Sequence, residues 1–363
     1  MADCPPKILL VGYTTEKTFR HFLTYVTDLV PHLDVLDLAM LCDESGEVGV
    51  EETANDTTIW IGPRQWRLGE YDAVYNRAYW TDLGSPGWNT ALSRAVRAIA
   101  SWLMFCQGTV VNRPGAGMTN SNKFVHGLLL GSMGFAIPRT IATGEPTVAR
   151  ALMSSADEWV SKSCSSAKTR TVRANKALLE RADLLTNCPS LFQNRIVGAD
   201  VRVHCVDGIM LAERTESARI DSRFAEGRSE KVERIICDVP EKIATKCAQY
   251  CAERALLFAG FDFKVTPEGK WIALEANPMP GFESYDRRQC NRISIALLKL
   301  LLSGRQTPPL AGVAVEWPMA KGGAGRFSDV TAGLACPAHA ENADAYLFVE
   351  KERRPVVTPF HFR

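Results

Sequence analysis

An α/β architecture in more than one domain is what this sequence predicts, and three observations carry the expectation. Lys7–Gly12 (KILLVG) is a short apolar run suited to a buried strand, and Val35–Leu38 is a second; between them Phe19, Phe22, Leu23, Val26, Leu29 and Val30 recur at helical spacing. The stretch from Gly260 to Asp286 reads as two strands, Phe261–Val265 and Lys270–Ala276, joined by Thr266-Pro267-Glu268-Gly269. The length, 363 residues with 46% hydrophobic and 23% charged, suffices for two or three domains and a substantial core.

Taken in order, the first strand, helix and second strand form a β-α-β opening, but no GxGxxG follows the strand, so a dinucleotide site is not supported. Residues 43–56 are acidic and polar and read as a loop; Thr57–Ile61 and Ala73–Tyr75 are further short strands. Ser93–Cys106 is an amphipathic helix with Val96, Ile99, Leu103 and Cys106 on one stripe, leading through Val110-Val111 to Asn112-Arg113-Pro114. Residues 1–115 therefore read as a small α/β domain. Asn120–Leu130 forms the next helix, Gly134–Thr140 turns into a strand, and Thr147–Ser155 is a helix started near Pro146. Glu158–Ser163 is a strand carrying Lys162; a Ser-rich turn to Thr171 precedes another strand near Arg173, and Leu191–Ile196 is extended. Val201–Val206 and Met210–Glu213 form a hairpin over Asp207-Gly208. Glu241–Ala259 reads as one helix between Pro240 and Gly260, and Ile293–Leu302 as another. From Gly304 the chain changes character; its Gly322-Gly323-Ala324-Gly325 run has no following Lys-Ser/Thr, so it is a loop and not a phosphate loop.

Charge and cysteine content exclude several classes. A formal net charge of +1 gives no global field toward nucleic acid or an anionic membrane. No apolar run approaches the roughly 18 residues of a membrane span, and the N-terminus lacks a hydrophobic signal segment, so a cytoplasmic location is expected. The eleven cysteines show no disulfide framework or CxxC pair, and Cys247 and Cys251 lack the partners of a zinc site. They read as small buried hydrophobes in a reducing compartment.

Chemistry concentrates in the hairpin. Side chains alternate along a strand, so Glu275 and Asn277 share a face. Pairing Val265 with Lys270 would set Asp262 opposite Ala273 on that face, giving a cluster of hard oxygen donors suited to Mg²⁺. Taken alone, such a hairpin also reads as an ordinary solvated surface, Lys123 and Lys162 as surface lysines, and Asp200-Val201-Arg202 as a local salt bridge. Asp262 and Glu275 could form a glycosidase pair, but Asn277 beside them fits a metal–phosphate site better. His204 and Asp207 have no serine of the G-x-S-x-G kind, so serine hydrolase chemistry is unsupported.

The ordered set Lys123, Lys162, Gln193-Asn194-Arg195-Ile196, Asp200-Val201-Arg202, Gly260-Phe261-Asp262 and Leu274-Glu275-Ala276-Asn277-Pro278-Met279-Pro280-Gly281 resembles the ATP-grasp ligases. The resemblance covers about residues 112–302 and is nearest the branch that holds the ribosomal-protein glutamate ligase and the microviridin-type peptide-crosslinking (graspetide) ligases. It implies a pre-ATP-grasp α/β domain at 1–115, a small central lobe at 116–192, a lobe with the metal site at 193–305, and an extension of unassigned role at 306–363. It further implies that Lys123 and Lys162 reach the nucleotide phosphates, that Gln193, Asn194, Arg195 and Ile196 read adenine, and that Asp200 lies near the ribose. Arg202 would meet the γ-phosphate or acyl phosphate, with Lys162 as its catalytic companion. Asp262, Glu275 and Asn277 would hold Mg²⁺, two ions in the family, while Glu213 and Asn175 would flank the nucleotide. Asp221-Ser222-Arg223 resembles a D-x-R element of the crosslinking branch and would contact acceptor or leader. One departure is the flap after Lys162, Ser163-Cys164-Ser165-Ser166-Ala167-Lys168, which has none of the glycines common in the superfamily; the crosslinking branch also tends to lack them.

The expected activity is ATP-dependent joining of a carboxylate to an amine or hydroxyl through an acyl phosphate, with a ribosomally made peptide as leading substrate. The same chemistry on free amino acids or small acids, and a non-catalytic nucleotide-binding protein, are the alternatives. A homodimer is compatible with the sequence, which names neither acceptor nor assembly.

Overall fold

Strand β1 (Ile8–Gly12) is buried at every position because the sheet it belongs to is covered on both faces. In this computed structural model, which describes residues 5–41, 48–53, 56–78, 91–115, 120, 122–154, 158–164, 171–216 and 233–305, β1 lies between β2 (Leu33–Asp37) and β6 (Ala73–Asn76), with β7 (Thr109–Val111) beyond, all parallel. Ile8 and Leu10 face α1 (Lys17–Val26) and α8 (Arg292–Leu302) through Phe19, Phe22 and Leu297, while Leu9 and Val11 face α2 (Ala91–Phe105) through Ile99 and Leu103. A small antiparallel sheet, β3 (Val48–Glu52), β4 (Thr57–Ile61) and β5 (Arg64–Arg67), adds Ile59, Ile61 and Trp66 to that second core. The acidic stretch read as a loop thus contains a strand, because Thr57–Ile61 supplies a ladder on which Val48–Glu52 can pair.

Helix α3 (Lys123–Ser132) starts at Asn122, whose Oδ1 accepts from the N–H groups of Phe124 and Val125. It leads to a second antiparallel sheet in the order β10 (Val172–Arg173), β9 (Trp159–Ser163), β11 (Ser190–Asn194), β8 (Thr140–Thr143). Trp159 and Phe192 occupy one face of this sheet, packed under Ala149 of α4 (Pro146–Met153) and against Leu178 of α5 (Lys176–Glu180). Val160, Lys162, Leu191 and Gln193 share the other face by cross-strand register.

The third sheet runs in the order β14 (Glu233–Cys237), β13 (Ile209–Glu216), β12 (Ala199–Val206), β15 (Phe258–Val265), β16 (Trp271–Asn277), antiparallel throughout. One face is apolar: Val201, Val203, Ala212, Phe261, Phe263 and Ala276 pack with Cys247 and Tyr250 of α6 (Glu241–Glu253) and with Leu130 and Phe135. The opposite face joins an apolar core near Val206, Leu211 and Phe258, where α8 and Phe282 cover it, and elsewhere carries polar and charged side chains, of which His204 and Glu213 are also buried. Helix α6 ends at Glu253, earlier than its apolar pattern suggests. Ala255 takes φ 51° and Phe258–Ala259 pass into β15, where pairing with β12 supplies the missing backbone partners.

Helix α7 (Glu283–Arg288) joins the pieces through Asp286, fully buried, whose carboxylate accepts from His21 of α1 at 2.8 Å, from Ile293 N at 2.7 Å and from the Ser294 hydroxyl at 2.5 Å. It therefore caps α8 from outside that helix. The described residues all belong to one compact unit, Met1–Ala311, and none of their helices is long and apolar enough to cross a membrane. Asp286→Ala removes these bonds without adding a partner and is expected to cost about 3 kcal/mol, read as a fall in urea midpoint at unchanged m-value.

Candidate functional site

A single residue sets the phase of the site strand. The ladder pairs Val265 with Trp271 and Phe263 with Ala273, then shifts so that Asp262 opposes Glu275, Phe261 opposes Ala276 and Gly260 opposes Asn277. Leu274 is the extra residue of a β-bulge. In an unbroken ladder Glu275 would oppose Phe261 and point into the aromatic core; the bulge lets Ala273 and Ala276 both face that core while Glu275 and Asn277 turn to the open face. The expected face is correct and the expected partner of Asp262 is not: it is Glu275 rather than Ala273, because the turn closes one residue wider and the bulge then recovers the phase.

Across the sheet the register continues Asp262 to Arg202 and Arg202 to Glu213, so Glu213, Arg202, Asp262 and Glu275 form one transverse row on the open face. Arg202 Nη1 donates to Asp262 Oδ1 at 2.6 Å. Burial opposes its charge, but Asp262, Tyr285 and Glu275 together raise its pKa, so it stays a cation against any incoming anion. Gly260, directly under it, leaves room for the guanidinium: a Cβ there would lie 2.8 Å from Arg202 Nη2 and 2.6 Å from Pro280 Cβ. His204, in the next row, is fully buried, and burial followed by the Arg202 charge holds its pKa far below the imidazole range, so it packs as a neutral ring against Phe258 and Tyr285. Asp200 pairs with Lys264 at 2.8 Å one row away.

Glu213 is 2% exposed and is gripped by Arg288, with Nε and Nη2 each 2.7 Å from a carboxylate oxygen. Tyr285 lies under both Arg202 and Arg288, the guanidinium carbons 5.9 and 5.1 Å from its ring centre. Neither Arg288 nor Tyr285 stands out in the sequence; the one available signal is the Arg287-Arg288 pair closing a short segment that follows a Pro-Gly turn.

The loop after β16 is held from the N-terminal sheet. Asn112, just beyond β7, donates from Nδ2 to the carbonyls of Phe258 (2.6 Å) and Pro278 (2.5 Å) and accepts at Oδ1 from Leu257 N and Phe258 N. Arg77 donates to the Pro280 carbonyl at 3.0 Å and is itself oriented by both oxygens of Glu16, 2.7 and 2.8 Å away. The outer edge of β16 is closed too: Ala276 N donates to His126 Nε2 at 2.9 Å and Ala273 N to the Ala136 carbonyl at 2.8 Å. Such closure removes the free edge that would let the strand move or pair elsewhere.

Of the two lysines, Lys162 belongs to the second sheet and Lys123 to the first turn of α3. Lys162 sits on the β9 face opposite the Trp159 core, and Lys123 N donates to the Cys164 carbonyl at 2.9 Å, so the start of α3 and the end of β9 meet. The charge of Lys162 is felt at His126, one turn further along α3, and His126 contacts the strand that carries Glu275. Gln193 points to the Lys162 face but donates to Thr140 Oγ1, Asn194 N donates to the Arg139 carbonyl, and Arg195 bonds Glu158 through both N–H and side chain. The side chain of Arg195 is thereby turned to Glu158, and Ile196 is the next residue after this occupied stretch. Asn175 Oδ1 accepts from Leu178 N and starts α5. Asp221 and Arg223, together with residues 306–363, lie outside the described residues.

Two carboxylates and one amide oxygen at Asp262, Glu275 and Asn277 suit a hard divalent cation; Asn277 Oδ1 accepts from Met279 N at 2.9 Å and keeps a second lone pair. Among the described residues no group of three or more His, Cys, Asp or Glu is placed to enclose a metal alone. Mg²⁺ is held by one or two carboxylates with waters and substrate phosphates rather than in an all-protein cage, and Asp262 and Glu275 supply that number.

No family profile and no curated protein matches the sequence. Solved structures do match in shape. The macrocyclase MdnC from Microcystis aeruginosa MRC, bound with precursor peptide MdnA, superposes with a TM-score of 0.69 at 18% identity over 82% of this chain and 99% of its own. A Chryseobacterium gregarium RiPP-associated ATP-grasp ligase, in complex with ADP and a leader and core peptide, gives 0.68 at 19% identity over 83% and 97%. The ATP-grasp ligase PsnB, complexed with minimal precursor, Mg and ADP, gives 0.66 at 20% identity over 83% and 99%. The chain has the ATP-grasp fold.

Two outcomes follow from the local geometry. Gly260→Ala is expected to displace Arg202 and to weaken binding of inorganic triphosphate by more than about tenfold, while thermal stability falls only modestly; an unchanged affinity would contradict it. His126 is lowered from 6.5 to about 4, by burial first and then by Arg254 and Lys162, so its neutral form supports the fold fully above pH 6.5. That support, about 3 kcal/mol, is lost as pH falls from 6.5 toward 4, and His126→Gln, which accepts a bond without titrating in this range, should flatten the slope in pH-dependent unfolding.

Proposed function

We propose that this protein is an ATP- and Mg²⁺-dependent ligase of the peptide-crosslinking ATP-grasp branch, joining a carboxylate to an amine or hydroxyl of a ribosomally made peptide. The observation that carries the reading is the row Glu213, Arg202, Asp262, Glu275 on the open face of the third sheet, with Asn277 beside it. Structural likeness to ligases solved with precursor peptides and with ADP supports the same reading.

Residues 1–115 form the pre-ATP-grasp domain, 116–192 the small lobe, 193–305 the lobe with the metal site and 306–363 an extension. Asp262, Glu275 and Asn277 hold Mg²⁺, which neutralises phosphate charge when bound. Lys123 and Lys162 approach the phosphates from the small lobe, the Gln193–Ile196 connection lies along adenine, and Asp200 and Asn175 lie toward the nucleoside. Asp221 and Arg223 contact the acceptor or leader.

The substrate carboxylate attacks the γ-phosphorus of ATP, the bond to the β–γ bridging oxygen breaks, and ADP leaves with that electron pair. The product is an acyl phosphate. An amine or hydroxyl then attacks its carbonyl carbon, losing a proton, and phosphate leaves, which gives an amide or ester. Arg202, held cationic by Asp262, Tyr285 and Glu275, stabilises the negative oxygens in both steps. Glu213, bound by Arg288, fixes the far end of the row and flanks the nucleotide.

Incubation with ATP, Mg²⁺ and candidate precursor peptides, read by ADP release and by loss of water in the peptide mass, is the test. Glu275→Gln is expected to abolish ADP release with the fold intact. Unchanged turnover in that variant would overturn the metal assignment, and ADP release without peptide dehydration would favour free amino acids or small acids as substrates.

A further inference from the structure

Helix α7 presents two working surfaces. Tyr285 and Arg288 look toward the charged row, whereas Glu283 and Arg287 line a cleft of about 730 Å³ shared with the exposed side of α1. Its floor is His21, whose Nε2 is committed to the buried Asp286 at 2.8 Å. Its rims are cationic. Lys17 and Arg20 stand three residues apart on α1, both exposed, and neither forms an ion pair among the described residues. Arg287 faces them and shares its charge with Glu283 at 2.9 Å. Among the side chains that line the cleft, Lys17, Arg20 and Arg287 outnumber Glu283, and the Asp286 carboxylate is buried behind His21; in a chain whose formal net charge is +1 this excess of rim cations is local and not a share of a basic surface.

The cleft also adjoins the site. Thr18, beside Lys17, brings its Oγ1 to 3.6 Å of where a Cβ on Gly281 would stand, so the first turn of α1 abuts the loop that follows Asn277. The N-terminal end of α1, where Lys17 stands exposed beside the buried Thr18, thus lies next to that loop, and a chain laid along the exposed side of α1 can run toward it. We infer that this cleft is a docking site for an acidic segment of the peptide substrate, whose carboxylates pair with Lys17, Arg20 and Arg287 while the reacting residue occupies the site beyond Gly281. The inference rests on the peptide-ligase reading. A concave cleft admits a single extended chain but not a bilayer, and an RNA strand would need a longer run of cations than these helices carry.

Fluorescence anisotropy on the full-length protein, with a labelled peptide of alternating glutamate and glycine and its glutamine counterpart, tests the inference. The acidic peptide is expected to bind, to weaken as salt is raised, and to bind about tenfold more tightly than the neutral one. Lys17→Glu with Arg20→Glu should weaken the acidic peptide by about tenfold or more, and Lys17→Gln with Arg20→Gln by an intermediate amount, with circular dichroism confirming the fold of each. Equal binding of the two peptides, or unchanged binding by the charge-reversed protein, overturns the docking site. So does a short RNA that displaces the acidic peptide at lower concentration. A protein that binds the acidic peptide through these residues but never releases ADP counts against the ligase reading alone.

Discussion

The open face of the third sheet depends on one constraint, the reset of strand phase at Leu274. A sheet this size must bury one face, and Phe261, Phe263, Val203 and Ala276 do so against α6. Each buried aromatic contributes roughly 2–3 kcal/mol, which outweighs any local preference of the edge strand and fixes the register of β15. Asp262 must then point away from that core. Glu275 joins it only because the ladder absorbs an extra residue between Ala273 and Glu275. Two carboxylates directly opposite each other repel. Arg202 offsets part of that repulsion from one side and a divalent ion would offset the rest, so the arrangement makes most physical sense as half of a binding site.

Rigidity at this edge comes from parts of the chain far away in sequence. Asn112 and Arg77, both from the ends of parallel strands, hold the carbonyls of the loop that follows Asn277, and His126 closes the strand edge from α3. Buried bonds of this kind are worth about 1 kcal/mol each in net stability, yet leaving their carbonyls unpaired would cost more. They therefore act chiefly by making one loop position the only satisfied one. A site whose donors are held this way needs little rearrangement when an anionic ligand arrives.

Much of this was legible in the residues. The β-α-β opening, the hairpin over Asp207-Gly208 and the shared face of Glu275 and Asn277 rest on local periodicity and turn chemistry, and local rules suffice for them. The bulge at Leu274 was not legible, because a register shift is decided by which residues fill the aromatic core and not by the strand itself. The same holds for β3, an acidic segment that pairs only because β4 lies beside it, and for the end of α6, where sheet pairing overrides a continuing apolar pattern. Arg288 and Tyr285 carry no local sequence signal, because their contacts exist only where α7 folds back over the row. Gln193 lies on β11, in the stretch whose pattern reads as extended, but its side chain turns to Thr140, and Arg195, just beyond that strand, turns to Glu158, contacts that only the folded sheet decides.

The central claim is that Asp262, Glu275 and Asn277 bind nucleotide through a shared divalent ion. Calorimetric titration of ADP into the protein, with Mg²⁺ and then with chelator, measures that link without requiring any acceptor. The expected result is an affinity gain of more than about tenfold from Mg²⁺ that vanishes in Asp262→Asn, because the ion then loses one of its two anionic ligands. An ADP affinity that responds equally to Mg²⁺ in the native protein and in that variant would contradict the account.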